Sequence, residues 1–193
     1  PNAASQPYRW SMGYLNGYVY FAHPAAGYLL ALDVVSGVIQ PVDSDGVPEN
    51  ILSLCISNAR VCLITNESFA WSGPSDGLDW TPRLSGAGIQ LIGNHVAGQP
   101  ISVSSYGQGC LVWTTGGVMR AEFRGDQTVF NFRALNTEFK PINSMCIQQL
   151  DDQALMARVE QVNLFCRVAP AQKNRIILTL KRRGYVVGYL GDG

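Results

Sequence analysis

Apolar residues recur along the chain in short runs, each broken by Gly, Pro, Asn, Asp or Ser. Val, Ile, Thr and aromatic side chains fill the runs, which suits the pleated, half-buried surface of a sheet. The pattern predicts strands over 18–22, 29–33, 51–56, 61–65 and 68–72, then over 101–105, 110–114, 118–123, 129–133 and 142–147. A last group is predicted over 154–159, 162–167, 176–180 and 185–190. No window keeps a helical apolar period over the roughly ten residues that a stable helix needs. The expectation is an all-β chain.

Turn chemistry fits that expectation. Thr114-Thr115-Gly116-Gly117-Val118 places a glycine pair between two strands, a strong hairpin signal. Arg182-Arg183-Gly184 is expected to close another hairpin, with Gly184 left-handed, and Asn66 to serve more weakly between Thr65 and Ser68.

The strands also repeat. Ser53 and Ser102 stand 49 positions apart, as do Thr65 and Thr114, each pair in matching strand–turn contexts. A further copy is suggested by Leu155 to Arg158 followed by Val162, which lies 44 positions beyond Val118. Upstream, Asn16 to Phe21 reads as part of an earlier copy. About four strands in such a period make a propeller blade, a small twisted sheet that needs neighbours to cover its faces. About four copies fit into 193 residues. The expected fold is therefore a β-propeller-like array of roughly four-stranded antiparallel blades, incomplete as a propeller, with a β-sandwich as the alternative. Residues 1–193 are read as one β-rich domain or a fragment of one.

Composition narrows the partners. Apolar residues make up 47% and charged residues 15%, enough for a packed core, and 14 basic residues balance 14 acidic ones. Zero net charge weakens any role that depends on bulk attraction to nucleic acid or anionic lipid. No apolar stretch approaches the roughly 18–20 residues of a membrane-spanning helix, so a soluble chain is expected. The opening Pro1-Asn2-Ala3 and the closing Gly191-Asp192-Gly193 read as cuts through a longer polypeptide, without the features of a signal peptide.

Candidate chemistry is sparse. Cys55, Cys62, Cys110, Cys146 and Cys166 show no metal-binding spacing, and their odd number argues against a disulfide framework. They are expected to be small buried hydrophobes in a reducing compartment. His23 and His95 sit in turn-like contexts without clustered carboxylates, so no metal or cofactor site is expected. Ser85-Gly86-Ala87-Gly88 lacks the third glycine of a dinucleotide loop and reads as a turn. Asp151-Asp152 reads as a turn rather than an acid–base pair. Lys181-Arg182-Arg183, the one basic cluster, reads as a solvated hairpin tip. Tyr14, Tyr18 and Tyr20 are expected to form a stripe continuing onto an exposed face. No catalytic residue emerges, and the chain is not expected to be an enzyme.

The most distinctive stretch is Trp71-Ser72-Gly73-Pro74-Ser75-Asp76-Gly77-Leu78-Asp79-Trp80. It departs in spacing from the Asp-box of sialidase-type propellers and is expected to be a turn anchored by two packed tryptophans. Extended to Ala70 on one side and Thr81-Pro82 on the other, and taken together with Gly86 to Gln90, Gly98 to Ile101, Leu111 to Val118, Val129-Phe130 and Ile142 to Ser144, this run resembles the propeller of tail nozzle or tail hub proteins of short-tailed bacteriophages. The likeness covers residues 50–165. It implies a structural virion component, assembled in the host cytoplasm, that forms a homo-oligomeric ring and extends the portal channel. Implied partners are portal, adaptor or other tail proteins, fibres or spikes, and DNA passing without sequence specificity. The alternatives are a cellular propeller scaffold or ligand-binding module, and a propeller enzyme acting on glycans, which should carry paired carboxylates or an arginine cluster at the strand ends.

Overall fold

A computed structural model describes residues 10–82, 86–93, 98–125, 129–136 and 170–187, with positions 141 and 147. The chain divides into two compact units, Pro1–Ile147 and Gln148–Gly193.

The described residues of the first unit form three four-stranded sheets. Blade 1 comprises β1 (Ser11–Leu15), β2 (Tyr18–Ala22), β3 (Leu30–Asp33) and β4 (Ile39–Pro41). Blade 2 comprises β5 (Ser53–Ser57), β6 (Arg60–Ile64), β7 (Ser68–Trp71) and β8 (Gly88–Leu91). Blade 3 comprises β9 (Pro100–Tyr106), β10 (Gly109–Thr114), β11 (Gly117–Phe123) and β12 (Phe130–Asn136). Each sheet is an antiparallel meander in chain order. The first strands pack side by side, β1 against β5 and β5 against β9. This is the propeller-like arrangement expected, and none of the described sheets closes into a barrel.

The alternation of side chains along each strand sorts them between two faces. One face of a blade looks back to the preceding blade and the other looks forward to the next. The backward face of blade 2 (Leu54, Val61, Leu63, Ala70) shares a core with Leu15, Tyr20, Ala22, Leu29 and Ala31 of blade 1. Its forward face (Cys55, Cys62, Ile64, Phe69, Trp71) shares a second core with Val103, Cys110, Val112, Met119, Phe130 and Phe132 of blade 3. All five residues of β6 are buried, which explains why its sequence runs apolar without alternation after Arg60. Phe69 meets the rings of Phe130 and Phe132 edge-on at 5.2 and 5.3 Å, and Trp71 meets Phe130 at 5.3 Å. Gly13 is required where β1 crosses β5, because a Cβ there would overlap the Ile56 side chain.

Most predicted strands agree with those observed to within two residues at each end. The first strand of blade 1 and the edge strands β4 and β8 were missed: β1 carries Ser11 and Gly13, and β4 is short and ends in Pro41. The Thr114–Gly117 hairpin forms, with Thr115-Gly116 as its tip and positive φ at Gly117. Between Thr65 and Ser68 the Thr65 hydroxyl, rather than Asn66, organises the turn by accepting from Glu67 N and Ser68 N at 3.2 and 3.0 Å.

The second unit brings a correction. The strand expected over 176–180 lies within α1 (Pro170–Arg182). Gly184 is left-handed as expected (φ 87°), but it caps this helix instead of turning a hairpin. Gly184 N donates to Lys181 O at 2.9 Å and Tyr185 N to Leu180 O at 3.1 Å, the paired bonds of a Schellman cap. Residues 185–187 are not strand. The strands expected over 154–159 and 162–167, positions 142–146 of the one over 142–147, and positions 188–190 lie outside the described residues.

Tyr20 is buried between blades 1 and 2, and its ring touches the position where a Gly77 Cβ would stand. Burial, reinforced by the Asp76 carboxylate, pushes its phenol up to about 12. The folded state therefore holds that proton more tightly than the unfolded chain, whose tyrosines ionise near pH 10. Stability is expected to be independent of this group below about pH 10 and to fall as pH rises from about 10 through about 12. Urea denaturation across that range should show a loss of up to about 2–3 kcal/mol that Tyr20→Phe removes. An identical pH profile for the variant would contradict the assignment.

Candidate functional site: the faces between blades

The structural repeat is written in hydrogen bonds. Ser11, Ser53 and Ser102 occupy the same place in their strands, opposite Ala22, Ile64 and Trp113. Ser11 Oγ accepts from Leu54 N at 2.9 Å, and Ser53 Oγ accepts from Val103 N at 3.4 Å. Each serine of one blade thus receives the amide just after the equivalent serine of the next. Ser53 Oγ also lies 3.1 Å from Ser102 Oγ. The 49-residue repeat visible in the sequence is therefore a contact between two copies of the same position.

The turns after the first strands repeat a second device. Asn16 and Asn58 both sit in left-handed conformation at φ 45° and 49°. The Asn16 amide donates across to Ser75 O of blade 2, and the Asn58 amide donates across to Gln108 O of blade 3. Ser57 Oγ adds a bond to Gly109 O at 2.9 Å. Thr65 and Thr114, the other pair at the 49-residue spacing, both close the second turn of their blades with their hydroxyls.

Between blades 2 and 3 lie the three described cysteines, all free and buried. Cys55 Sγ and Cys110 Sγ are 3.6 Å apart. Contact with Cys110 raises the Cys55 thiol well above the usual range, and burial does the same for Cys62. Contact with both neighbours makes Cys110 the most acidic of the three. The cysteines behave as packing residues, as expected from their apolar runs. Among the described residues no cluster of His, Cys, Asp and Glu is suited to a metal ion.

Arg60 is a residue that the sequence did not single out. Its guanidinium is buried, donating to Ser72 O at 2.6 Å and Gly86 O at 3.0 Å and standing 6.0 Å from the Phe123 ring centroid. Burial lowers its pKa, and its Nε has no partner. A charge so held fixes the loop after β7 to the start of β6. Its only sequence signal was a basic residue opening an otherwise apolar strand.

The Trp71–Trp80 stretch is a turn anchored on two buried tryptophans, as expected. Asp76 Oδ1 and Asp79 Oδ1 accept from Leu78 N and Thr81 N, each at 2.9 Å. Trp80 Nε1 donates to Gly77 O at 2.9 Å and Trp71 Nε1 to Gly86 O at 3.0 Å. Gly88 presses against the Trp71 ring, which accounts for a glycine there. His23 accepts from Ala25 N at 3.1 Å within a turn and stacks near Trp10. The tyrosines do not form one stripe: Tyr14 is exposed on one face of blade 1, while Tyr20 is buried on the other. Lys181 and Arg182 end α1, where their charge complements the helix dipole, and Arg183 follows. His95, Cys146, Cys166 and Asp151-Asp152 lie outside the described residues. A cleft of about 510 Å³ opens at one end of blades 2 and 3, beside Asn66, Glu67, Leu91, Pro100 and Met119.

No protein-family model matches the chain. A 47-residue stretch is 49% identical to a magnesium-transporting P-type ATPase of Salmonella typhimurium and 45% identical to one of Escherichia coli, covering 24% of this chain and 5% of each ATPase. A 45-residue stretch is 44% identical to a probable cation-transporting ATPase of Streptococcus pneumoniae, over 23% of this chain and 6% of that protein. The chain thus spans about a twentieth of the length of the curated relatives it matches. Among solved structures, a Saccharomyces cerevisiae complex of Dbp5 with Nup159, Gle1, IP6 and ADP is similar at TM-score 0.40 and 13% identity, over 68% of this chain and 37% of that one. The N-terminal domain of Nup159 is similar at TM-score 0.34 and 13% identity, over 66% and 33%.

The serine ladder predicts a defined loss. Ser53→Ala removes one hydroxyl that serves two groups of blade 3, and should cost about 1–2 kcal/mol in urea denaturation. Ser36→Ala, in an exposed turn of blade 1, should change stability by less than about 0.5 kcal/mol. Equal effects would mean that the inter-blade bond contributes nothing.

Proposed function

We propose that this chain is a non-enzymatic structural subunit of a bacteriophage tail nozzle or hub. In that role it forms part of a homo-oligomeric ring in the virion, extends the portal channel, and offers docking surface to fibres or spikes. The observation that carries this reading is the repeated bond from Ser11 and Ser53 to the next blade, which commits polar groups of the first strands to holding blades in series. Further support comes from the segments that resemble the nozzle family: the Trp71–Trp80 turn lies within blade 2, and the Gly116-Gly117 hairpin lies within blade 3. Zero net charge suits a channel wall along which DNA must slide, because strong binding grows with the number of neutralised phosphates.

The short, strongly identical matches to cation-transporting ATPases favour a second reading for part of the chain. In that reading a 47-residue segment shares its origin with those transporters, and the smaller unit, Gln148–Gly193, is of comparable extent. The blades would then owe their function to the first unit alone.

One experiment addresses both. Mass spectrometry of purified tailed particles from the source of this sequence should recover peptides of blades 1–3 at a fixed ratio to portal protein. Their absence from particles, with recovery in the soluble cell fraction, would contradict the virion assignment. Sequencing the intact locus should show tail genes beside the blades; ATPase sequence continuing past residue 193 would support the second reading for the smaller unit.

A further inference from the structure

Three side chains of β5 reach the same neighbour. Ser53, Cys55 and Ser57 alternate along the strand and so share its forward face, toward blade 3. Ser53 Oγ lies 3.1 Å from Ser102 Oγ, and Ser57 Oγ donates to Gly109 O at 2.9 Å. Between these two anchored steps, Cys55 Sγ stands 3.6 Å from Cys110 Sγ, in van der Waals contact. The hydrogen bonds on either side hold β5 beside blade 3, so the two sulfurs stay together in the folded chain. A disulfide has an S–S length near 2.0 Å, so the sulfurs need to approach by about 1.6 Å, a shift that side-chain rotation supplies.

Packing alone does not call for this pair. The register that sets Ser11, Ser53 and Ser102 in equivalent places also matches Cys55 to Gly13 of blade 1 and Cys110 to Val61 of blade 2. Where blades 1 and 2 meet, a glycine and a fully buried valine fill those two positions. Blades 2 and 3 carry a thiol at both. Cys62, directly opposite Cys55 in β6, adds a third thiol to the same core, and all three are free.

We propose that Cys55 and Cys110 are an oxidation site, where a peroxide converts the two thiols into a reversible disulfide that staples blade 2 to blade 3. Cys55 is 8% exposed while Cys62 and Cys110 are fully buried, so a molecule as small as hydrogen peroxide enters beside Cys55. Cys110, the most acidic of the three, supplies the thiolate. Its sulfur attacks one peroxide oxygen, the O–O bond breaks, and hydroxide leaves and takes up the thiol proton as water, giving a sulfenic acid. The Cys55 sulfur then attacks the Cys110 sulfur and loses its proton, and the S–O bond breaks as a second water departs. Two electrons pass from the sulfurs to the peroxide, so two thiols and one peroxide give one disulfide and two waters. In reducing surroundings the three cysteines remain the packing thiols described above. The inference does not rest on the virion assignment, and the two can fail separately.

The test treats the full chain, folded and without denaturant, with hydrogen peroxide. Trypsin cleavage after Arg60, Arg83, Arg120 and Arg158 puts each of the five cysteines on its own peptide. Mass spectrometry should find the Cys55 peptide joined to the Cys110 peptide about 10-fold or more above any other pair, because groups held in contact react far faster than groups that must first meet. Dithiothreitol should separate the two peptides again, ending as its own cyclic disulfide. The oxidised chain should unfold at a higher urea concentration than the reduced one, since the bridge closes a long loop of the unfolded state. Peroxide should bring no such rise in Cys110→Val, which copies the residue at the matching place in blade 2. Unchanged thiols after treatment, sulfinic or sulfonic acids without the link, or a Cys55–Cys62 link in its place would overturn the inference. So would a bridge that lowers the urea midpoint, or a rise that persists in Cys110→Val.

Discussion

A four-stranded sheet with apolar side chains on both faces cannot be stable in water by itself, and that constraint organises this molecule. Blade 2 meets it fully. Its backward face is closed by Tyr20, Leu29 and Ala31, and its forward face by Val112, Met119 and Phe130. Burying a single large apolar side chain contributes about 1.5–3 kcal/mol, so two such faces outweigh any one hydrogen bond in the structure. The hydrogen bonds of the serines and asparagines have a different role. They set which strand lies beside which, and so align faces that hydrophobicity alone would let slide.

Legibility in the sequence followed burial. Runs such as Val61 to Ile64 and Phe69 to Trp71 are apolar throughout because they have no solvent face, and their strands were readable at once. The edge strands were less legible. In β8, Gly88, Ile89, Gln90 and Leu91 are all partly or largely exposed, so little apolar patterning is imposed on them. The strand β1 was hidden for another reason: Ser11 and Gly13 are there because β5 approaches so closely, and small or polar residues lower β propensity. The feature that weakened the strand signal is the one that forms the interface.

The run Ile176-Ile177-Leu178-Thr179-Leu180 shows where reading short apolar segments fails. Five such residues fit a strand or a helix equally well, and only flanking signals arbitrate. Here those signals pointed to a helix: Pro170 at the first helical position, basic residues at the end, and Gly184 as cap. Gly184 was correctly expected to be left-handed, yet that conformation serves helix ends and hairpins alike. Of the candidate site, the 49-residue spacing was visible, but its meaning was not. The spacing does not reveal that Ser53 and Ser102 touch each other across the blades.

The central claim is that adjacent blades are held by the apolar faces they bury together, and a double-mutant cycle between Phe69 of blade 2 and Phe130 of blade 3 tests it most directly. Their rings meet edge-on at 5.2 Å, so Phe69→Leu and Phe130→Leu should be coupled by about 0.5–1.5 kcal/mol in urea denaturation. Strictly additive losses, or separate unfolding transitions for the two blades, would contradict it.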